Sequence, residues 1–368
     1  MKILEMTGEP ILHGGQERFL SNLISNIDIT GLQIDVLTPY KCDNRAFKEL
    51  VISKGGRIYE LSLPFHPGKS RKLLLDPLTK FLKGKGYDVI HIHSGSISVL
   101  AYSAFAARLA RIKKIIVHSH STGVSSLKHS VIRIVFGFLM KPCVTNYLAC
   151  SEDAGIMKYS KAVVRKELMV VRNGIPINDY CRNNDKRIMI RNSLNIPEES
   201  YIIGHVGRFS EEKNHKFLIN IFSKIVNMLP QSRLLLVGNG ELLNEIKKEV
   251  ANKKLSESVI FTGNVDNVQD YYQAMDCFVL PSIYEGFSLV TLEAQAAGLP
   301  CVISTGVPED VMIGKNINRI SLSCPQAWMD RIVANKDILP VDNSESIRVK
   351  GYDISNTADT IRKLYFEN

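Results

Sequence analysis

Hydrophobic and polar positions form two alternating patterns along the chain. Short apolar runs rich in β-branched residues are followed by longer segments with apolar residues at helical spacing. The predicted strands are Lys2–Glu5, Gln33–Leu37, Arg57–Leu61, Val89–Ile92, Lys114–Val117, Tyr147–Ala149, Met169–Val171, Tyr201–Val206, Leu234–Val237, Val259–Phe261, Cys277–Leu280 and Cys301–Ile303. The segments between them include Gln16–Asn26, Arg71–Lys83 and Ile97–Ala110. This alternation favours parallel sheets with helices on both faces.

The length of 368 residues exceeds what one typical core supports and indicates two domains. We place the boundary in the polar stretch 177–184, which gives a first domain of residues 1–182 and a second of residues 183–354. A last helix is predicted at Thr357–Tyr365. By pattern alone this helix can cap the second domain or return to the first.

Composition indicates a globular protein, with 45% hydrophobic and 23% charged residues. The N-terminal residues lack the apolar core of a signal peptide, and no apolar run approaches a membrane span. The seven cysteines contain no C-x-x-C pair. We expect them to be reduced in a cytoplasmic protein and not to bind metal.

The net charge of +9 is unevenly distributed, because residues 89–151 contain no carboxylate. The cations of this window are Arg108, Arg111, Lys113, Lys114, Lys128, Arg133 and Lys141. The window is either a solvated surface or a face that meets an anionic partner, and we expect peripheral contact with an anionic membrane. Nucleic acid is not expected, since no binding motif or aromatic interleaving is present.

A strand–turn–helix unit at residues 276–300 carries the clearest chemistry. Glu285 lies in the turn, Ser288 stands at the expected N-cap, and Glu293 lies one turn into the helix. The amides at this helix start favour an anion such as a diphosphate. Carboxylates repel phosphate, so both glutamates are interpreted as acceptors for sugar hydroxyls. The alternative is that both are surface residues beside an ordinary helix start.

Three loops that follow predicted strands add polar or glycine-rich chemistry. Gly14 and Gly15 open the first helix, where a backbone can approach a ligand closely. Arg208 and Lys213 follow the first strand of the second half, and we expect both in a solvated loop. They could clamp a diphosphate, or they could be ordinary solvated charges. Gly238 begins a Gly-x-Gly turn whose sixth position, a leucine, is wrong for a dinucleotide-binding fingerprint.

Two histidines, His118 and His120, stand at the exit of a strand, where open α/β sheets bind ligands. A His-x-His pair can bind metal, but no third ligand is apparent nearby in the sequence. The earlier pair, His91 and His93, is interpreted as structure or as cleft lining.

Together these motifs resemble the retaining GT-B glycosyltransferases, family 4 in particular. The segments that carry the resemblance are Glu285-Gly-Phe-Ser-Leu followed by Glu293, Gly207-Arg-Phe-Ser-Glu-Glu-Lys-Asn, Val237-Gly-Asn-Gly, Gly14-Gly-Gln-Glu preceded by His13, and His118-Ser-His. They cover nearly the whole chain in the family's order. The N-terminal pattern is most similar to transferases of capsular and exopolysaccharide assembly.

The resemblance implies a role for each matching residue. Glu285 would contact the donor sugar, Glu293 the ribose, and His120 the transferred sugar from the opposite domain. Arg208 and Lys213 would bind the donor diphosphate. Further contacts with the nucleotide sugar are implied for Gly14, Gly15, Gly207, Gly238, Asn264, Val265, Phe287, Ser288 and Leu289.

The resemblance also implies the architecture and the reaction. Two doubly wound, Rossmann-like domains would flank a cleft, and a crossover helix would return residues 355–368 to the first domain. The enzyme would move a sugar, with retention, from a UDP-linked donor to a lipid-linked or polysaccharide acceptor at the inner face of the membrane. A sugar-nucleotide epimerase and a non-catalytic binding protein remain alternatives. No metal cofactor is expected, because the chain contains no Asp-x-Asp.

Overall fold

Two compact units make up the protein. The computed structural model describes residues 1–12, 14–65, 71–120 and 127–367, with the backbone alone described for 127–130. Unit 1 comprises residues 1–174 together with 354–368, and unit 2 comprises residues 175–353. His13 and the side chain of Lys128, which belong to patterns described above, lie outside the described residues.

The strands are all parallel to their neighbours. Their bounds are β1 (Lys2–Thr7), β2 (Gln33–Thr38), β3 (Ile58–Glu60), β4 (Val89–Ser94), β5 (Lys114–Ser119), β6 (Asn146–Ala149), β7 (Leu168–Val170), β8 (Tyr201–Val206), β9 (Ser232–Val237), β10 (Val259–Gly263), β11 (Cys277–Leu280), β12 (Cys301–Ser304) and β13 (Ile317–Ile320). Parallel pairing requires a crossover between successive strands, and the helices supply it.

Most of the described helices lie between the strands in sequence, and three follow the last strand. Their bounds are α1 (Gly15–Asn26), α2 (Arg45–Ser53), α3 (Leu75–Leu82), α4 (Ile97–Leu109), α5 (Leu127–Met140), α6 (Glu152–Lys158), α7 (Lys161–Lys166), α8 (Ile177–Tyr180), α9 (Asn184–Ser193), α10 (His215–Met228), α11 (Leu243–Asn252), α12 (Val268–Ala274), α13 (Leu289–Ala296), α14 (Pro325–Ala334), α15 (Ser344–Val349) and α16 (Ile354–Phe366). Among the described helices, none is long and apolar enough to cross a bilayer.

Both sheets are doubly wound. The strand order is β3-β2-β1-β4-β5-β6-β7 in unit 1 and β10-β9-β8-β11-β12-β13 in unit 2. Numbered within its own unit, the second order is 3-2-1-4-5-6, the arrangement of dinucleotide-binding domains. In such sheets the order reverses beside the first strand, between β1 and β4 or between β8 and β11. Ligands bind at the carboxyl ends of the strands at this switch point.

The twelve predicted strands are all present, and the predicted α/β fold with two doubly wound domains is confirmed. The thirteenth strand, β13, was missed. It is a short edge strand whose four residues, Ile-Asn-Arg-Ile, are all half-buried. A half-buried edge strand lacks the continuous apolar run that identifies a central parallel strand.

The boundary between the units lies at Gly174, eight residues before the predicted one at residue 182. Ile177 and Tyr180, in the polar stretch taken as the seam, are 1% and 0% exposed within the core of unit 2. Helix α16 belongs to unit 1, where Ile361 and Leu364 join a core cluster with Phe19 of α1. The first and last helices of the chain are therefore packed together.

Candidate active site

One ion pair joins two loops at the switch point of unit 2. Lys213, in the loop after β8, places Nζ 2.5 Å from Oε1 of Glu285, in the loop after β11. The hydroxyl of Ser282 donates to the same oxygen at 2.6 Å. The two charged side chains are only 16% and 11% exposed. The Lys213 ammonium group and the Glu285 carboxylate, a candidate for sugar binding, therefore lie side by side. They stand at the carboxyl ends of the adjacent strands β8 and β11.

Backbone hydrogen bonds fix the position of the Glu285 loop. The amide of Ile283 donates to the carbonyl of Glu212 at 2.7 Å, and the amide of Glu285 donates to the carbonyl of Gly306 at 3.0 Å. A Cβ at Gly306 would lie 2.2 Å from the carbonyl oxygen of Ile283, so only glycine fits there. The carboxylate is consequently placed by three chain segments.

The second candidate cation, Arg208, is paired elsewhere. Its Nε and Nη2 lie 3.2 and 3.1 Å from Oε2 of Glu241, and both side chains are 55% exposed. The expectation of a solvated loop therefore holds for Arg208 but is wrong for Lys213, whose pairing with Glu285 buries it. An exposed pair of this kind contributes little to stability. Arg208 can therefore exchange Glu241 for another anion at small cost.

The glycine turns pack backbone against backbone. Gly238 has a φ of +135°, and a Cβ there would lie 2.2 Å from the carbonyl oxygen of Gly207. The Gly207 amide donates to the carbonyl of Val237 at 3.0 Å, and the Gly238 amide donates to that of Gly263 at 2.9 Å. Glycine at Gly238 is therefore required by contacts inside the protein, whatever the loop binds.

Asn264 and Val265, two of the residues predicted to contact the nucleotide sugar, follow β10. Asn264 is exposed, whereas Val265 is half-buried and packs against the main core cluster of unit 2.

Helix α13 begins as predicted, with Ser288 at its N-cap and Gly298 at φ +77° after its last turn. The Ser288 hydroxyl pairs with the Thr291 hydroxyl at 2.8 Å, and no side chain caps the helix among the described residues. The ring of Phe287 stacks on Tyr352 with centroids 5.4 Å apart, and Leu289 is 7% exposed.

Glu293 is 2% exposed, and its carboxylate accepts a hydrogen bond from Tyr272 at 2.9 Å. With Glu285 11% exposed at its side chain, the alternative that both acids are surface residues is wrong. Tyr272 had no motif to mark it and was missed. Its hydroxyl also contacts the carbonyl of Val290 at 3.3 Å, so it ties α12 to the helix that carries Glu293.

In unit 1, Gly14 is the N-cap of α1 and Gly15 is its first residue. A Cβ at either position would meet no described atom within 4 Å, so both sites have open space before them. His120 follows β5 and is half-buried. The ligand roles of these three residues remain predictions.

Four histidines form a buried group at the switch point of unit 1, which we call the histidine cluster. His91 and His93 lie on β4, and His118 lies on β5, with His93 paired in register to His118. His120 joins through its Nε2, 2.9 Å from Nδ1 of His93. Glu5 of β1 contacts Nε2 of His93 at 2.7 Å.

The suggestion that no third ligand lies near the His118–His120 pair is therefore wrong. Donor atoms of His91, His93 and His118 lie within 4.8 Å of one another, close enough to hold a metal ion. The sequence signal that could have found this was two His-x-His pairs on consecutive predicted strands, because neighbouring parallel strands align such pairs on one face.

Burial controls the charge of the cluster. It lowers the pKa of His93 to about 4, helped by repulsion from His91 and opposed by Glu5. Burial and the neighbouring imidazoles also hold the pKa of His118 and His120 well below the ordinary value. These three rings are consequently neutral near pH 7.

Comparison with known families agrees with this fold. The Glycosyltransferase Family 4 description matches residues 13–179, and that of Glycosyl transferases group 1 matches residues 186–332. The chain belongs to the group 1, family 4 glycosyltransferases, which adopt the GT-B fold, and the predicted family and enzyme class are confirmed.

Individual relatives span most of the chain. It is 32% identical over 327 residues to EpsF of Bacillus subtilis, assigned as a glycosyltransferase, covering 87% of this chain and 84% of EpsF. It is 27% identical to the UDP-Gal:alpha-D-GlcNAc-diphosphoundecaprenol alpha-1,3-galactosyltransferase of Escherichia coli, covering 81% and 80%. The crystal structure of Anabaena HepE with UDP and glucose superposes with a TM-score of 0.77 at 20% identity, over 98% of each chain.

Proposed function

We propose that this glycosyltransferase moves a sugar from a UDP-linked donor, with retention, to a lipid-linked or polysaccharide acceptor in exopolysaccharide or capsule assembly. The observation that carries the donor half is the Lys213–Glu285 pair at the switch point of unit 2. HepE, which shares the fold, was crystallised with UDP and with UDP-glucose. The name of the Escherichia coli relative supports the lipid-linked acceptor, and retention rests on the family resemblance.

In this proposal the pair exchanges partners when the donor binds. Lys213 turns from Glu285 to the diphosphate, whose negative charge grows as its bond to the sugar breaks. Glu285 then accepts hydrogen bonds from sugar hydroxyls. Arg208 leaves Glu241 for the same diphosphate. The charged groups are satisfied by each other before the donor arrives, so none of them is left unpaired in the free enzyme.

Tyr272 supports the proposed ribose contact. It holds the Glu293 carboxylate at 2.9 Å in a site that is 2% exposed, so the carboxylate does not need ligand to be ordered. The remaining donor contacts are assigned to the loops that begin at Gly207, Gly238 and Asn264 and to the start of α13. His120 is assigned to a hydroxyl of the transferred sugar.

The test is an acceptor-dependence assay. Purified protein is screened by thermal shift against UDP-, GDP- and dTDP-sugars, and release of the nucleoside diphosphate is then followed with and without an undecaprenyl-diphosphate-linked sugar. The proposal expects stabilisation by UDP-sugars and UDP release that needs the acceptor. Conversion of the donor sugar in the absence of acceptor would identify the epimerase alternative. Binding without turnover under all conditions would indicate a non-catalytic protein.

We further propose that unit 1 contacts an anionic membrane through α5. Val131, Ile134, Val135 and Phe138 recur at the spacing of one helix face and are 62%, 59%, 58% and 76% exposed. A packed helix of a globular protein turns such a stripe inward. An apolar stripe that faces outward can enter the boundary between lipid headgroups and acyl chains, provided that the flanking charge is positive.

The charge around α5 meets that condition, with one correction. Arg108, Arg111, Lys113 and Lys141 are exposed, and residues 89–151 carry no carboxylate. Lys114 does not join them, because its ammonium group donates to carbonyl oxygens of Leu364 and Glu367 in the C-terminal helix and the residue after it. The exposed cations contribute about 1 kcal/mol each near an anionic surface.

Liposome co-sedimentation tests the membrane contact. Binding to vesicles of phosphatidylglycerol and phosphatidylcholine is expected at low salt and should weaken at high salt. The double substitution Val135→Ser with Phe138→Ser should release the protein, whereas Ile52→Ser, a 65% exposed apolar residue on α2, should not. Equal binding to neutral vesicles, or unchanged binding of the α5 variant, would refute the proposal.

A further inference from the structure

The histidine cluster contains one anionic group, and the hydrogen bonds point toward it. Glu5 is 0% exposed. Burial alone would raise its pKa, but charge interaction with His91 and hydrogen bonds from His91 and His93 bring the pKa well below the ordinary value. The carboxylate is therefore ionised and can only accept hydrogen bonds. Each group that touches it must bring a proton.

Because each group that contacts Glu5 must donate a proton, the direction of the hydrogen bond between His93 and Glu5 is fixed. Nε2 of His93 lies 2.7 Å from Oε2 of Glu5, so Nε2 carries the proton. A neutral imidazole has one protonated nitrogen, and the other is an acceptor. Nδ1 of His93 is therefore an acceptor, and its partner at 2.9 Å, Nε2 of His120, must donate. His120 is left with an unprotonated Nδ1.

A second branch runs from the same carboxylate. The hydroxyl of Tyr365 donates to Oε1 of Glu5, because burial raises the pKa of this tyrosine and keeps its proton in place. The tyrosine oxygen then accepts from Nδ1 of His91 at 2.9 Å. Nε2 of His91 lies 3.3 Å from Nδ1 of His118, which links His118 to this branch.

The first branch ends at a buried nitrogen that makes no hydrogen bond of normal geometry. Among the described residues, Nδ1 of His120 has no partner at hydrogen-bonding distance, although the side chain of Asn173 is near enough to influence the pKa of this histidine. An unpartnered buried acceptor costs free energy unless a donor reaches it. A sugar hydroxyl is such a donor, and His120 stands at the carboxyl end of its strand.

We propose that Glu5 and His93 are positioning residues that fix His120 as the Nε2–H tautomer, with the Nδ1 lone pair turned to a hydroxyl of the transferred sugar. This inference rests on the proposed function for the role of His120. His120 acts as a neutral acceptor, and the carboxylate acts on it through His93. In the second branch, Tyr365 of the C-terminal helix α16 donates to the same carboxylate and helps to hold it in position.

The spacing of the cluster also fits a metal ion, but the hydrogen bonds argue against one. A metal needs an unprotonated nitrogen from each histidine. His93 already uses both nitrogens, one with Glu5 and one with His120. Stoichiometric zinc in protein purified without chelators would overturn the proposal, since the metal would take the lone pairs that order the rings.

The direct test is nitrogen NMR of protein labelled with ¹⁵N-histidine, with the His120 signals assigned from a His120→Asn variant. The wild type should show a neutral His120 with Nε2 protonated and Nδ1 bare. His93→Gln keeps an amide that can donate to Glu5 but removes the acceptor for His120, so His120 should lose its single tautomer. Glu5→Gln should do the same, because it removes the charge that sets the direction.

Tyr365→Phe is the matched control, because it cuts only the second branch. It should alter the signals of His91 and His118 and leave those of His120 in place. Thermal melts show which variants are folded, and either His93→Gln or Glu5→Gln is sufficient for the test. A wild-type His120 protonated at Nδ1, or a tautomer unchanged in both variants, would overturn the assignment.

Kinetics separate this inference from the proposed function. His93→Gln should lower kcat by about tenfold to a hundredfold, the range typical when a metal-bound histidine loses its orienting partner. The loss should not add to that of His120→Asn in the double variant. The predicted tautomer without any transferase activity would sink the proposed function alone. An active wild type whose kcat His93→Gln leaves unchanged would sink the positioning role.

Discussion

The switch points of the two units have the same strand topology but are built from different chemical groups. In unit 2, the loops after β8, β9 and β11 carry ion pairs between full charges, Lys213–Glu285 and Arg208–Glu241. In unit 1, the corresponding place between β1 and β4 holds the histidine cluster around a single carboxylate, Glu5. The first region is built of charges in loops, and the second is built mainly of histidine rings on strands around one carboxylate.

The difference reflects what each region must do on ligand binding. The exposed Arg208–Glu241 pair can open at small cost, because exposed partners exchange readily for water or for another charge. The less exposed Lys213–Glu285 pair can open only where a new charged or polar partner replaces the one that is lost. A buried hydrogen-bond network is costly to break, since each lost partner leaves an unsatisfied group. The charged region is therefore suited to exchanging its partners for a diphosphate. The neutral region is suited to holding one side chain in one state.

The largest effect is expected from breaking the buried ion pair of unit 2. Lys213→Ala should lower kcat by about 10² to 10³, or about 3 to 4 kcal/mol of transition-state stabilisation. It should also lower the melting temperature, because Glu285 loses its cation at an 11% exposed position. Steady-state kinetics at saturating donor and calorimetric melts measure the two effects.

Lys216→Ala is the matched control for this prediction. Lys216 pairs with Glu245 at 2.7 Å, but the two side chains are 47% and 53% exposed. Its loss should leave the melting temperature nearly unchanged and kcat unaltered. Near-normal turnover of Lys213→Ala would remove that lysine from the diphosphate site.

Acid should destabilise the protein where a buried imidazole is neutral in the folded state. His205 and His215 of unit 2 are the clearest examples. Burial lowers the pKa of His205 to about 4 and that of His215 to about 2, with repulsion from Lys213 adding to both shifts. The folded pKa lies below the ordinary value of 6.5. Each ring therefore stabilises the folded state above pH 6.5, and that stability is lost as the pH falls toward the folded pKa.

At pH 5 the loss should be about 2 kcal/mol for each ring relative to pH 8. His215→Leu removes one titrating ring whose two nitrogens have no hydrogen-bond partner among the described residues. The difference in unfolding free energy between pH 8 and pH 5 should shrink by about 2 kcal/mol. Urea denaturation at both pH values measures it, and an unchanged difference would show that His215 is already protonated in the folded protein.

A smaller effect, on UDP affinity, is expected from changing the exposed ion pair of unit 2, Arg208–Glu241. Glu241→Gln removes the carboxylate that competes with a diphosphate for Arg208. UDP should then bind more tightly by about twofold to fivefold, the range expected for an exposed pair. Titration calorimetry measures the affinity. Glu211→Gln is the control, since Glu211 is exposed and its carboxylate is not among the described partners of Arg208. Weaker UDP binding by Glu241→Gln would mean that Glu241 itself serves the donor.

No effect at all is expected from chelation of divalent metals. The proposed donor site meets the diphosphate charge with Lys213, Arg208 and backbone amides, and its two glutamates are assigned to hydroxyls. Transfer should therefore persist in excess EDTA. Activity that disappears with EDTA and returns with Mg²⁺ or Mn²⁺ would place a metal at the diphosphate and reassign Glu285 as a ligand.

The sequence by itself determined the architecture and the order of the donor loops. Central parallel strands are buried on both faces and read as apolar runs, which is why β8 and β11 were found, together with the turn at Glu285 and the helix start at Ser288. The edge strand β13 was missed because its half-buried residues do not form such a run. The unit boundary was misplaced because Ile177 and Tyr180, in a polar stretch, are buried.

Only the tertiary structure decided which charges and rings meet. Arg208 and Lys213 lie five residues apart in one loop, yet they contact carboxylates on two other loops. Glu5, His93 and Tyr365 come from the start, the middle and the end of the chain. Spacing along a sequence predicts side chains on the same helix or strand. Contacts between distant segments depend on strand order and register, and these are set by the packing of the whole unit.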